Sequence, residues 1–267
     1  MHPLLLTKIW ETGMQGARTS SCRPEIIERS VPQDAHLLTG SQMAWEILRR
    51  RADYRGQPSL PSSLSGPAAR SHPGGYVFEG DPALTARDVP LFWEAAVDMN
   101  VICAFARPCR STEPGAFLLF DLPWPAVLLV QPDRQELLVE SPQGQIRLSL
   151  TAGDLLQGPV GLRYIIEGAA LPERTHALQR WDWLLRKGAW PQSLERNSTR
   201  GERWSLLLAT LDALARHRSH RETAITLFGE MTVEREWNQA SDHLKSRTRR
   251  LIAQARALAA GGYKTLL

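Results

Sequence analysis

Residues 241–263 read SDHLKSRTRRLIAQARALAAGGY, and they leave little freedom in how they can fold. Leu244, Thr248, Leu251, Ile252, Ala255, Leu258 and Ala259 recur at spacings of three and four, which gathers them on one stripe of an α-helix. Lys245, Arg247, Arg249, Arg250 and Arg256 fall mostly off that stripe. Ser241 or Asp242 can cap the first turn by accepting from its free N–H groups. Gly261 and Gly262 stop the helix, because glycine turns left-handed at little cost. His243 and Ser246 add hydrogen-bonding side chains to the first two turns. A buried seam beside a cationic face is the layout of a helix that enters a DNA major groove. Such a helix reads bases from its N-terminal half and holds phosphates with flanking cations. A solvated charged face on a structural helix has the same layout.

The segments ahead of it favour the first reading. Ser219-His220-Arg221-Glu222 forms a capping box, in which serine and glutamate each satisfy the other's backbone N–H. A short helix then carries Ala224, Ile225, Leu227 and Phe228 into Gly229. Residues 202–216, ERWSLLLATLDALAR, place Trp204, Leu206, Leu207, Leu208, Leu211 and Leu214 at helical spacing. Three such helices, the last one basic, suit a helix-turn-helix unit. The connection from Gly229 to Ser241 is about a dozen residues long, so the unit is a variant with an enlarged turn. Val233 and Trp237 pack under that turn.

The runs SHRETAITLFGE, EW and SDHLKSRTRRLIAQARALAAGGYKTLL together resemble the C-terminal DNA-binding domain of the RovC-like transcription factors. AWEILRRRADYRG at 44–56, DPALTARDVPLFW at 81–93 and GPVGLRYIIEG at 158–168 are shorter, weaker likenesses to the same family. The resemblance spans most of residues 40–267. It implies DNA binding and control of transcription, with activation of type VI secretion genes as the family's namesake role. For the RovC type it also implies a homo-oligomer, from a dimer up to a hexamer. Some similar proteins act instead as antiactivators that bind and silence another regulator, which keeps a protein partner open.

Charge is divided unevenly along the chain. The net charge is +4, yet residues 171–267 hold 17 Lys and Arg against 10 Asp and Glu, while residues 1–170 hold 15 against 18. An anionic partner of the C-terminal part would favour that asymmetry. Cys22, Cys103 and Cys109 have neither zinc-ligand spacing nor a disulfide pattern, so free thiols in a reducing cytoplasm are expected. No run approaches the length of a membrane span, and the start MHPLLLTKIWE lacks the basic region and cleavage site of a signal peptide.

Residues 1–38 show no period; they read as an arm, or as an over-long start with Met14 or Met43 as other starts. Residues 41–54 form a helix with Met43, Ile47 and Leu48 on its apolar face. Arg49, Arg50 and Arg51 end it, where they suit the helix dipole better than a phosphate. The Pro-, Ser- and Gly-rich run 57–75 is a linker. Strand-forming runs follow at 100–107, 116–122, 126–130, 134–140 and 145–150, with 161–167 as a further strand. Turn signals separate them at Trp124-Pro125, Gln131-Pro132-Asp133 and Ser141-Pro142-Gln143-Gly144. The expectation is an antiparallel meander. Residues 172–187 return to helical spacing. Trp181, Trp183, Trp190 and Trp204 fit core and interface packing better than a base-stacking platform.

The sequence carries no phosphate-binding Gly loop, GxSxG, HExxH or paired CxxC. His217, His220, His243, Glu222 and Asp242 match no ligand spacing. The reading is a cytoplasmic α+β protein without catalytic chemistry, cofactor or metal. It divides into an arm, helix and linker (1–75), a β-rich oligomerisation or regulatory domain (76–170) and a helical DNA-binding domain (171–267). Arg247 and Arg250, with His243 and Ser246 as secondary candidates, read bases in double-stranded DNA. Lys245, Arg249 and Arg256 hold phosphate, and Arg221 touches backbone.

Overall fold

A computed structural model describes residues 8–11, 38–51, 54, 82–141, 143–168, 170–190, 201–216, 219–239 and 242–267. Most of the arm at 1–38, the linker 57–75, and Cys22, His217 and Ser241 lie outside the described residues. The chain divides into two compact units. One comprises Met1–Arg18, Leu60–Glu79 and Pro90–Asn197; the other comprises Thr19–Ser59, Gly80–Val89 and Ser198–Leu267.

The first unit is a curled mixed sheet with one helix on it. Its strands are β1 (Lys8–Glu11), β2 (Val101–Pro108), β3 (Ala116–Phe117), β4 (Ala126–Val130), β5 (Gln135–Ser141), β6 (Gly144–Leu150) and β7 (Val160–Ile165), in the order β1-β4-β5-β6-β2-β7-β3. β4, β5 and β6 form the expected antiparallel meander, with Leu128 opposite Leu137 and Leu137 opposite Leu148. The sheet as a whole is mixed, not antiparallel, because β2 joins β6 in parallel and β1 joins β4 in parallel. The run 116–122 is a strand for two residues only and then a 3-10 turn at Leu119–Asp121.

Alternation along β6 sorts its side chains. Ile146, Leu148 and Leu150 enter the main core with Leu128, Leu137 and Val139. That core also holds Ala177, Trp181 and Leu184 of helix α2 (Leu171–Lys187). This helix, expected with the C-terminal helices, therefore packs on the sheet. The Trp181 indole N–H donates to the Tyr164 hydroxyl at 2.8 Å, and its ring meets Phe117 edge-on. Arg147 and Ser149 alternate with the apolar residues of β6. Arg147 donates to the Leu91 carbonyl at 2.8 Å and faces Asp98 at 3.6 Å. Ser149 donates to Glu136 at 2.9 Å. Burial pushes the Glu136 carboxyl up to about 7, against the pull of that hydrogen bond.

The second unit is helical: α1 (Gly40–Leu48), α3 (Gly201–Arg216), α4 (His220–Phe228), α5 (Glu230–Glu236) and α6 (His243–Ala259), closed by a 3-10 turn at Gly262–Leu266. Thr39 and Gln42 cap α1 reciprocally. The helix stops at Leu48, short of the expected residue 54, and Arg49 and Arg50 are buried, in line with a structural role rather than a phosphate contact. Glu46, fully buried, accepts from Arg49 at 2.7 Å, from Arg50 at 2.5 Å and from the Ala86 N–H at 2.8 Å. Arg50 also donates to both carboxylate oxygens of Asp212 on α3, at 2.9 and 3.2 Å. Of the Arg49–Arg51 triplet, Arg51 lies over the Tyr263 ring. Trp181, Trp190 and Trp204 are buried, in line with packing roles, whereas Trp183 is exposed.

Candidate nucleic-acid interface

Two short helices, α4 and α5, pack under the start of α6. The Ser219–Glu222 capping box forms as the sequence dictates, with both reciprocal bonds at 3.2 Å. Gly229, at φ 85°, ends α4 and starts α5 in a single residue, a left-handed backbone that glycine adopts without strain. The enlarged turn thus contains a helix of its own. Val233 of α5 is buried with Ala224 and Leu244, and Ile225, Phe228 and Trp237 pack around them.

α6 buries Leu244, Thr248, Leu251, Ile252 and Ala255 of the predicted stripe, and its last two members, Leu258 and Ala259, are half-buried. Thr248 keeps its hydroxyl satisfied on the Leu244 carbonyl at 2.8 Å. Asp242 sits in the left-handed region at φ 44° and makes no capping bond, so the cap expected from it is not formed. Its carboxylate instead lies 3.1 Å from the Lys245 ammonium. The helix ends at Ala259, ahead of Gly261 at φ 123°.

The opposite face of α6 is cationic, with no carboxylate between His243 and Ala259. Arg247, Arg249, Arg250, Arg256, His243 and Ser246 are exposed, and Lys245 is partly so. At ~100° per residue, Lys245, Arg249 and Arg256 fall within about 40° of one another around the axis. His243, Ser246, Arg247 and Arg250 occupy the adjoining ~100°. Arg256 stands two turns past Arg249, roughly 10 Å further along the helix. Arg221 is exposed on the first turn of α4, beside His220.

Two aromatic residues that the sequence places in the packing of this unit, Phe228 and Trp237, also stand among these cations. The Arg247 guanidinium lies 4.8 Å from the centroid of the Phe228 ring at the end of α4. His220, Trp237, Lys245 and Arg249 line an open pocket of about 210 Å³. Trp237 follows α5 directly and also packs against Ala224, Val233 and Leu244, in line with the packing role expected of it under the enlarged turn.

Residues 165–267 match the family model of the RovC DNA-binding domain, described as T6SS, transcription factor, DNA binding domain. The match runs from the last residue of β7 through α2 to the chain's end, and it includes the three runs that carried the resemblance. The likenesses at 44–56 and 81–93 lie outside it, and that at 158–168 overlaps its start. No curated protein matches the chain. The matched segment supports a DNA-binding transcription regulator. Among the described residues, no helix is long and apolar enough to cross a membrane, and no three His, Cys, Asp or Glu side chains gather as a metal ion would require. Cys103 and Cys109 are free thiols.

Proposed function

We propose that this protein is a sequence-specific regulator of transcription that reads double-stranded DNA with α6 as the recognition helix of a helix-turn-helix variant. The observation that carries the reading is the division of α6 into a buried apolar stripe and an outer face of cations without a carboxylate. Arg247 and Arg250 read bases, since a planar guanidinium can hold guanine through two hydrogen bonds. His243 and Ser246 stand beside them on the first turns. Lys245, Arg249 and Arg256 hold phosphates, and Arg221 touches backbone from α4.

One recognition helix makes few base contacts, so specific binding calls for a homo-oligomer that presents several copies, from a dimer up to a hexamer. The β-rich part, residues 76–170, supplies that self-association, and residues 171–267 supply DNA binding. Activation of T6SS genes, in the cytoplasm, is the regulatory role that the resemblance to the RovC type implies. The test is a mobility-shift assay on bacterial promoter fragments against random competitor at several salt concentrations. Affinity should fall steeply as salt rises, because each neutralised phosphate releases counterions. Absence of DNA binding at low salt overturns the reading and favours an antiactivator that grips an acidic surface of another regulator.

A further inference from the structure

The pocket at the foot of α6 combines features that a phosphate contact alone does not require. Lys245 and Arg249 supply two cations one turn apart on the same shoulder of the helix. His220, the first residue of α4, adds an imidazole, and the Trp237 indole supplies an apolar wall. Its volume of about 210 Å³ is many times the ~10–15 Å³ that a single water needs. A phosphate with a sugar attached has both halves of this chemistry: charge for the cations and an apolar ring face for the indole.

We propose that this pocket is a backbone seat for duplex DNA, deepening the reading of α6 given above and resting on it. One phosphodiester lies between Lys245 and Arg249, and the adjoining deoxyribose packs on Trp237. The Asp242 carboxylate, 3.1 Å from Lys245, holds that ammonium at the rim until phosphate takes its place. Seating one strand here turns the side of α6 that carries Ser246 and Arg250 toward the base edges. The pocket thereby sets the angle at which the helix enters the groove.

The full chain, bound to a short random-sequence duplex and followed by fluorescence anisotropy across a salt series, tests the seat. Lys245→Gln and Arg249→Gln should each lower the salt slope by about one unit. Trp237→Leu should bind roughly three- to tenfold more weakly with an unchanged slope, while Trp237→Phe stays near wild type. Unchanged slopes in both cation variants overturn the seat, as does Trp237→Leu binding like Trp237→Phe. Should Trp237→Leu fail to fold, fluorotryptophan labelling decides: the ¹⁹F signal missing from Trp237→Phe must shift when duplex is added, and a fixed signal overturns the seat. Wild type that binds no duplex overturns the DNA reading itself, whereas wild-type binding with unmoved slopes overturns the seat and the phosphate roles of Lys245 and Arg249 and leaves DNA binding by the protein standing. A deoxynucleoside 5′-monophosphate that saturates the same ¹⁹F shift at micromolar concentration, in wild type but not in Arg249→Gln, assigns the pocket to a free ligand and overturns the DNA form.

Discussion

The two compact units each bury a glutamate, and they treat it in opposite ways. In the sheet, Glu136 is 3% exposed and accepts from the Ser149 hydroxyl, and burial pushes its carboxyl up to about 7. In the helical unit, Glu46 is fully buried but faces two guanidinium groups and a backbone N–H. A buried charge is tolerated when it is paired and fully hydrogen-bonded, and otherwise the group is driven toward its neutral form. The arginines at 49 and 50 therefore serve architecture, while those on α6 stay at the surface. Cations held by buried carboxylates and cations facing solvent do different work within one helical unit.

The largest effect expected from this contrast is on Glu46. Glu46→Ala leaves Arg49 and Arg50 buried without the carboxylate between them, and breaking such a cluster costs roughly 3–5 kcal/mol. Urea unfolding of the full chain should show that loss, with Asp212→Ala producing a smaller one, since Arg50 keeps Glu46. A Glu46→Ala variant as stable as wild type would erase the distinction between the two glutamates.

Glu136 should make stability depend on pH. A folded-state value raised from 4.5 to about 7 means the fold favours the protonated form. That stability is complete below about pH 4.5, is lost as pH rises to about 7, and stays lost above it. At ~1.4 kcal/mol per unit, the loss is bounded at roughly 3 kcal/mol. Glu136→Gln keeps a hydrogen-bonding partner for Ser149 and carries no charge. It should therefore gain about 2–3 kcal/mol at pH 8 and little at pH 4. Urea midpoints at the two pH values measure the difference, and an equal gain at both would remove the titration from the account.

On the solvent side of the comparison, Arg247→Ala and Arg250→Ala should each cost roughly 1–3 kcal/mol at a specific site and relax sequence preference there. Lys245→Ala should instead weaken specific and random DNA alike. Titrations of both kinds of DNA at two salt concentrations separate the roles. If Arg247→Ala and Arg250→Ala both bind like wild type with the fold intact, base reading lies elsewhere.

What was legible in the sequence was local. The stripe of α6, the Ser219–Glu222 box and the hairpin turns before β5 and β6 depend on residues a few positions apart, and each forms as read. The parallel partners of β2 and β1 were not legible, because no turn signal links strands so distant in sequence. α5 is only seven residues long with one buried side chain, too short for a period to show. The arginines at the end of α1 are structural, as read, but the helix stops at Leu48 rather than at residue 54, and the carboxylate partners of Arg49 and Arg50, one of them on α3, could not be read from a local pattern. Among the α6 residues, the sequence placed the cations around the axis but could not place Phe228 and Trp237 against them.

Phe228 offers the smallest effect and the finest division within the basic face. Its ring lies under the Arg247 guanidinium at 4.8 Å, and a planar cation over an aromatic face gains about 0.5–1 kcal/mol at an exposed site. The ring holds the guanidinium by its charge and uses none of its N–H donors, which stay available to address a base edge. The ring thus restricts the orientations of Arg247 before DNA arrives, and less freedom is lost when it binds. Phe228→Leu keeps an apolar side chain against Ala224, Val233 and Leu244 while removing the aromatic face. Specific binding should weaken by roughly two- to fivefold, as 0.5–1 kcal/mol dictates. Random DNA and the salt slope should stay as in wild type, because no charge has been lost. In an Arg247→Ala background the same substitution should have no further effect on specific affinity, since the two residues act as one element. A double-mutant cycle by anisotropy on specific and scrambled duplexes reads all of this. Additive losses would show that Phe228 acts through the fold of α4 rather than through the arginine, leaving Arg247 to read bases unaided.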